Sequence, residues 1–180
     1  MSLPRTPSQT VGPYLAIAMR WPDGPFVVPS GTPGAIWVRG RLLDGDGQPI
    51  DDGVVETWQP DVEGRFPSEP DAGPFRGFGR STTDATGEWG VLTLKPGRLA
   101  GASGSPDAPY LSVAIFARGL LKPAWTRIYF EDEADANATD SVLASVPVDR
   151  RGTLIAERTD DGYRLDLRLQ GTDETVFFDV

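Results

Sequence analysis

The sequence predicts an all-β fold, an antiparallel β-sandwich with little helix, and two observations favour it. The chain of 180 residues contains 21 Gly and 17 Pro, which regular helices tolerate poorly and which short strands joined by tight turns require. Short apolar or alternating segments also recur between turn signals, as they do in sandwich folds. The length is that of one compact domain.

The predicted strands begin at residue 35. Between residues 35 and 43 apolar side chains alternate with Trp37, Arg39 and Arg41, a period of two that is typical of a strand. The segment 110–117 is apolar on both faces, which is expected of a central strand. Asp-Asp-Gly at 160–162 indicates a hairpin turn. The other predicted strands cover residues 54–59, 88–94, 125–130, 153–158, 163–169 and 175–178.

The prolines and the acidic residues define the remaining segments. Residues 1–34 contain seven prolines, which fix φ and remove donors, so they predict an extended N-terminal arm rather than an inner strand. The arm is either clamped on its own domain or extended to a neighbour, and residues 35–180 form the sandwich domain. Residues 60–80 are predicted to be mainly loop, and one short helix is predicted over 131–146, ending at Pro147.

Composition excludes several classes of function. Lys and Arg total 17 against 26 Asp and Glu, a formal charge of −9, which argues against a nucleic-acid partner and against an anionic membrane surface. The sequence contains no Cys, so disulfides and thiolate sites are excluded. It contains no His, which excludes Ser-His-Asp catalysis and imidazole ligation of a metal. Without a basic and apolar leader, a cytoplasmic location is expected.

Two groups of charged residues are candidate sites. Arg118 directly follows the most apolar predicted strand, where a guanidinium is costly unless an anion meets it. From the residues alone this anion is either a structural carboxylate or a ligand. The acidic residues 131–135 either hold a hard cation or simply favour the start of the predicted helix.

Several stretches together resemble one family, the intradiol aromatic-ring dioxygenases, and the resemblance spans residues 6–180. Thr-Pro-Ser-Gln-Thr-Val-Gly-Pro-Tyr at 6–14 and Ile-Phe-Ala-Arg-Gly at 115–119 carry much of it. The closing Gln-Gly-Thr-Asp-Glu-Thr-Val-Phe-Phe-Asp at 170–179 adds to it. The other matching stretches are 56–59, 77–80, 87–89, 95–97, 126–130 and 151–156.

The resemblance implies a β-sandwich and a ferric iron held by two Tyr and two His, at which O₂ cleaves a catechol ring between its hydroxyls. This chain, lacking His, cannot present that site. By resemblance, Tyr110 and Ser112 stand at the two His positions and Leu99 at one Tyr position. The second Tyr belongs to a loop around 66–74, where this sequence has none.

The resemblance further implies an alpha-type subunit in a heteromer of several pairs, whose homologous beta subunit holds Fe(III). The arm 1–34 then packs on that partner and helps to line its pocket for an aromatic carboxylate, protocatechuate. The alternative is a catalytically inactive β-sandwich that acts as a binding or scaffold module. The substrate-binding residues implied by the resemblance are Arg118, Thr10, Gly12, Pro13 and Tyr14.

Overall fold

The computed structural model describes residues 5–67, 74–101 and 106–179, which fold mainly into strands. The strands are β1 (Ala35–Leu43), β2 (Val54–Trp58), β3 (Phe78–Thr82), β4 (Glu88–Leu94), β5 (Tyr110–Phe116), β6 (Ala124–Phe130), β7 (Ile155–Thr159), β8 (Gly162–Arg164) and β9 (Leu167–Arg168). Helix is limited to short segments, and none in the described ranges is long and apolar enough to cross a membrane.

The strands form one curled sheet in the order β3-β2-β5-β6-β7-β8-β1-β4, with β9 added to β1. Strand β7 lies parallel to β6 and antiparallel to β8, so it connects a layer of β3, β2, β5 and β6 to a layer of β8, β1 and β4. The other parallel pairings join β1 to β8 and to β9, and the remaining ones are antiparallel. The predicted all-β sandwich is confirmed, with β5 central in its layer.

The core lies between the two layers. Alternate side chains of each strand point inward, as the pleat requires, and their burial contributes roughly 1.5–3 kcal/mol each as an upper estimate. The inward side chains with no more than 3% exposure include Val38, Leu42, Val55, Trp89, Val91, Leu111, Val113, Ile115, Ile128, Phe130 and Leu167.

The second half of the predicted arm closes the sandwich between the edges of β3 and β4. The amide of Val27 donates to the carbonyl of Leu92 in β4 at 2.9 Å, and the amide of Arg80 in β3 donates to the carbonyl of Gly24 at 2.8 Å. Val27 is fully buried. A Cβ on Gly24 would lie 2.7 Å from the Arg80 carbonyl oxygen, so only glycine allows this approach. This part of the arm is therefore clamped on its own domain.

The predicted helix over 131–146 is divided into a 3₁₀ turn and two short helices. Asp140, between the helices, has an extended ψ of 124°. Its fully buried carboxylate accepts hydrogen bonds from the Leu143 amide at 2.8 Å and from the Tyr129 hydroxyl at 3.0 Å. A buried carboxylate needs such donors, which explains the break. The segments are Glu131–Glu133, α2 (Ala134–Thr139) and α3 (Ser141–Ser145).

Other boundaries differ from the prediction for local reasons. The predicted strand 163–169 is divided into β8 and β9 because the carboxylate of Asp166, rather than a backbone carbonyl, accepts from the Arg41 amide at 2.9 Å.

The predicted loop 60–80 contains the start of β3, and the predicted strand 175–178 forms one bridge between Phe178 and Trp125. The predicted strand 153–158 begins only at Ile155, after a 3₁₀ segment Val148–Leu154, and the arm contains helix α1 (Tyr14–Ala18).

Candidate functional site

The structure brings Thr10 of the arm to the loop that carries Arg118. This loop follows β5, where Ala117 is buried and Arg118 and Gly119 are exposed. The Gly119 amide donates a hydrogen bond to Thr10 Oγ1 at 2.8 Å across 109 residues of sequence. Gly119 has a φ of 92°, which glycine adopts without strain. Two of the residues that the resemblance implied for substrate binding therefore lie side by side.

Asp52 pairs with Arg118 and was not predicted from the sequence. Strands β2 and β5 pair with Val54 opposite Phe116, so the turn that precedes β2 lies beside the loop that follows β5. The Asp52 carboxylate lies against Arg118 Nε in an ion pair, with side-chain exposures of 16% for Asp52 and 59% for Arg118. Asp52 Oδ2 is buried and accepts no hydrogen bond from the described residues, so the contact is one of charge. The sequence allowed either a structural carboxylate or a ligand as the anion at Arg118, and the structural carboxylate is present.

The other implied arm residues are exposed. The Gly12 carbonyl accepts from the Leu15 amide at 3.0 Å, which starts the first turn of α1, and Pro13 precedes the helix with a φ of −63°. The side chain of Tyr14 is 77% exposed. Proline at this position fixes the backbone in advance. Residues 12–14 are therefore exposed and follow Thr10, the arm residue that contacts the Arg118 loop.

The residues at the implied iron-ligand positions do not fit ferric iron. Tyr110 and Ser112 lie on the outer face of β5, and Arg127 of β6 is opposite Ser112 in the register. The Arg127 guanidinium lies 3.9 Å from the centroid of the Tyr110 ring, so a permanent positive charge lies directly beside this implied ligand position. Burial raises the pKa of Tyr110 although the Arg127 charge opposes it, which disfavours the phenolate that iron needs.

The remaining implied ligand positions lead to the same conclusion. Leu99 has no donor side chain, and its backbone carbonyl accepts from the Asp107 amide at 2.9 Å. The loop 66–74 lies mostly outside the described residues. Within the described ranges no three Asp or Glu residues converge as a metal site. With no His in the chain, it lacks the two-Tyr, two-His ligand set that the resemblance implies.

Two of the acidic residues 131–135, the other candidate site, are engaged in ion pairs, namely Asp132 and Glu133. Lys95 Nζ lies 2.9 Å from Asp132 Oδ1 and 2.6 Å from Glu133 Oε1. The Tyr163 hydroxyl donates to Asp132 at 2.9 Å. Burial acts against the charge on Lys95, but its hydrogen bonds to Glu133 and Asp132 prevail and raise its pKa. The carboxylates therefore serve a structural ion-pair network.

Comparisons with known proteins identify the family of this chain. A family model described as Dioxygenase matches residues 19–171. The chain is 42% identical to the protocatechuate 3,4-dioxygenase alpha chain of Burkholderia cepacia, over 99% of both chains. This chain belongs to the intradiol dioxygenase family. It is also 40% identical to the alpha chain from Pseudomonas putida, over 98% of this chain and 97% of that one.

Other members of the intradiol dioxygenase family are more distant. The protocatechuate 3,4-dioxygenase beta chain of Burkholderia cepacia is 31% identical over 78% of this chain and 66% of that chain. The dioxygenase domain of a Streptomyces carbohydrate-binding fusion superposes with a TM-score of 0.63 and 26% identity, covering 93% of this chain and 99% of that one. Catechol 1,2-dioxygenase from Pseudomonas arvilla superposes with a TM-score of 0.59 and 21% identity, covering 82% and 56%, and shows the shared fold.

Proposed function

We propose that this chain is the iron-free alpha subunit of a heteromeric protocatechuate 3,4-dioxygenase. In the assembly of several such pairs, it completes the pocket of a homologous beta subunit that holds Fe(III). The reaction is intradiol cleavage of protocatechuate by O₂ to 3-carboxy-cis,cis-muconate. Identity to alpha chains over almost the full length and weaker identity to a beta chain support this proposal.

The observation that carries the proposal is the hydrogen bond between Gly119 and Thr10. It joins the exposed end of the arm to the loop that presents the Arg118 guanidinium, so both elements can form one wall of a neighbour's pocket. The substrate carboxylate is negative at neutral pH, and a chain with a formal charge of −9 repels it. A guanidinium at the pocket offsets that repulsion and forms charge-assisted hydrogen bonds with the carboxylate.

Each residue of the wall has a distinct role in this proposal. Arg118 binds the substrate carboxylate, and Thr10 orients the substrate by holding the arm against the Arg118 loop. Gly12 and Pro13 shape the pocket, because one leaves room for the ring and the other fixes the backbone. Tyr14 projects from the arm toward the partner. A stiff arm loses less conformational entropy on docking, which favours its use at an interface.

Co-expression with the neighbouring homologous gene tests the proposal. We expect an assembly of both chains that contains iron in proportion to the beta chain and cleaves protocatechuate, whereas this chain alone binds no stoichiometric iron and has no activity. Stoichiometric iron in the lone chain contradicts the proposal. An assembly without ring cleavage, or no histidine-bearing homologue beside the gene, supports the alternative of a scaffold module. The arm boundary at residue 34 and the cytoplasmic location remain predictions.

A further inference from the structure

The geometry points to Asp52 as a positioning residue that holds Arg118 ready for the substrate carboxylate, an inference that rests on the proposed function. The carboxylate of Asp52 meets the guanidinium at Nε. Arg118 therefore keeps the donors on Nη1 and Nη2, and within the described ranges no acceptor forms a hydrogen bond with them. A guanidinium carries five N–H donors, so one carboxylate at Nε leaves the others for a second carboxylate.

Asp52 is the fixed member of the pair. The next residue, Gly53, donates its amide to Thr83 Oγ1 at 2.9 Å, and its carbonyl accepts from the Thr83 amide at 3.0 Å. Gly53 and Thr83 are both buried, and a Cβ on Gly53 would lie 2.4 Å from Leu42 Cδ2, so this turn is packed directly on the core. The turn cannot move without loss of those contacts.

Arg118 is the adjustable member, because its side chain is mostly exposed and has several rotatable bonds. A long exposed side chain loses rotamer entropy when it binds a ligand, and a contact formed beforehand reduces that loss. The Asp52 charge opposes substrate binding, but the Asp52 side chain is only 16% exposed, whereas the guanidinium-bearing side chain of Arg118 is 59% exposed. An entering anion therefore meets the guanidinium first. We expect the gain in affinity from positioning Arg118 to exceed the loss from repulsion by Asp52.

The first test uses the assembled enzyme with Asp52→Asn, which removes the charge with little change of shape. The expected result is a KM for protocatechuate raised about tenfold, with kcat changed by less than about twofold. With catechol, which lacks the carboxylate, KM changes little. Asp51→Asn is the matched control, because it removes the same charge from the adjacent, exposed position of the turn, and it leaves both KM values unchanged.

The second test separates positioning from a structural role. In an Arg118→Ala background, Asp52→Asn has no further effect on KM if it acts only through Arg118. Equal losses on both substrates, a loss that persists without Arg118, or a lowered KM for protocatechuate overturns the inference. If Asp52→Asn does not assemble, Asp52→Glu keeps the charge but displaces the guanidinium, and the same selective rise in KM is expected.

The kinetics of Arg118→Ala distinguish a failure of the proposed function from a failure of the Asp52 inference. If Arg118→Ala affects protocatechuate and catechol alike, Arg118 is not the carboxylate anchor, and both the anchor role and the Asp52 inference are lost. If Arg118→Ala is selective for protocatechuate but Asp52→Asn matches the parent enzyme, only the Asp52 inference is overturned. Iron content and the thermal midpoint of each variant verify that the enzyme is assembled.

Discussion

At the scale of single residues, Arg118 combines an ion pair within its own chain with the proposed binding of the substrate carboxylate. It follows the buried strand β5 but is itself exposed, and Asp52 from the turn before β2 pairs with it. The same guanidinium is exposed beside the arm, where a second anion can reach it. Arg118 thus pairs with a carboxylate of its own chain and remains accessible to a ligand in the proposed assembly.

Replacement of Arg118 by Ala should leave the enzyme assembled but weaken binding of protocatechuate. A hydrogen bond to a charged group contributes about 1.5–3 kcal/mol, so KM should rise about 10-fold to 100-fold. Catechol should be affected less than about threefold, because it makes no such bond. Steady-state kinetics on both substrates measure this. Lys122→Ala, which removes an exposed cation four residues away, is the control and should change neither KM.

Replacement of Thr10 by Val should release the arm from the Arg118 loop. The lost hydrogen bond from the Gly119 amide contributes about 0.5–1.5 kcal/mol, so KM for protocatechuate should rise about threefold to tenfold. Both groups are exposed, so the thermal midpoint should hardly change. Thr10→Ser keeps the hydroxyl and should retain the parent KM. A Val variant with unchanged kinetics would show that the tether has no role.

At the scale of elements, the layer of β8, β1 and β4 depends on two contacts beside β1. Asp166 accepts from the Arg41 backbone amide and from its guanidinium at 2.8 Å, which holds the segment between β8 and β9 against β1. Gly40 allows the same segment to approach, because a Cβ there would lie 1.7 Å from the Leu165 carbonyl oxygen. Asp166 and Gly40 thereby help to set the register in which β1 pairs with β8 and β9.

The Asp166 contact should make stability depend on pH. Burial raises the pKa of Asp166, but the hydrogen bonds from Arg41 and the charge of Arg164 prevail and hold it below the usual value. The stabilisation is complete above the unfolded-state pKa of about 3.9 and is lost as pH falls through the lower folded-state pKa. Asp166→Asn should therefore lower the free energy of unfolding by about 1–2 kcal/mol at neutral pH.

Urea denaturation at several pH values measures this difference, which should shrink below about pH 4 because the parent carboxyl then becomes protonated too. Asp160→Asn removes a charge from the exposed hairpin turn nearby and should have little effect at any pH. A difference between parent and Asp166→Asn that stays constant down to strongly acidic pH would show that the charge of Asp166 contributes nothing.

A methyl group at residue 40 should disrupt the layer. Gly40→Ala must displace the backbone at Leu165, so we expect a loss of about 3 kcal/mol or more in the free energy of unfolding, or no folded protein. Gly152→Ala is the control, since no atom lies within 4 Å of its added Cβ. Chemical denaturation compares the two. A stable Gly40→Ala protein contradicts the close approach of Leu165.

At the scale of the whole molecule, the arm has two parts in different environments. Residues 24–28 close the sandwich between β3 and β4, whereas residues 10–14 are largely exposed and contact the Arg118 loop through Thr10. A chain that starts at Trp21 should therefore fold with nearly the stability of the parent but support little turnover with the partner. A chain that starts at Ala35 should unfold, because it exposes both strand edges and the Val27 contact with the core.

Circular dichroism and urea denaturation of the two truncated chains measure this difference, and ring-cleavage assays with the partner measure the functional part. Full activity of the chain that starts at Trp21 contradicts the role of residues 10–14. Cooperative unfolding of the chain that starts at Ala35, at parental stability, contradicts the role of residues 24–28 in closing the sandwich.

The all-β class follows from the amino-acid sequence alone, because alternation and turn residues are local signals. The bounds of β1 and β4 and the hairpin between β7 and β8 follow from those signals. The absence of His determined that the chain cannot supply the family's iron ligands. The resemblance pointed to Arg118 and the arm, but it did not show how they meet.

Which distant residues become neighbours depends on how the strands pack. The pairing of β2 with β5 brings Asp52 to Arg118, and a hydrogen bond across 109 residues brings Thr10 to Gly119. The division of the predicted helix at Asp140 likewise depends on the Tyr129 hydroxyl from another element. These contacts depend on strand order and burial, which are properties of the packed chain and leave no local pattern in the sequence.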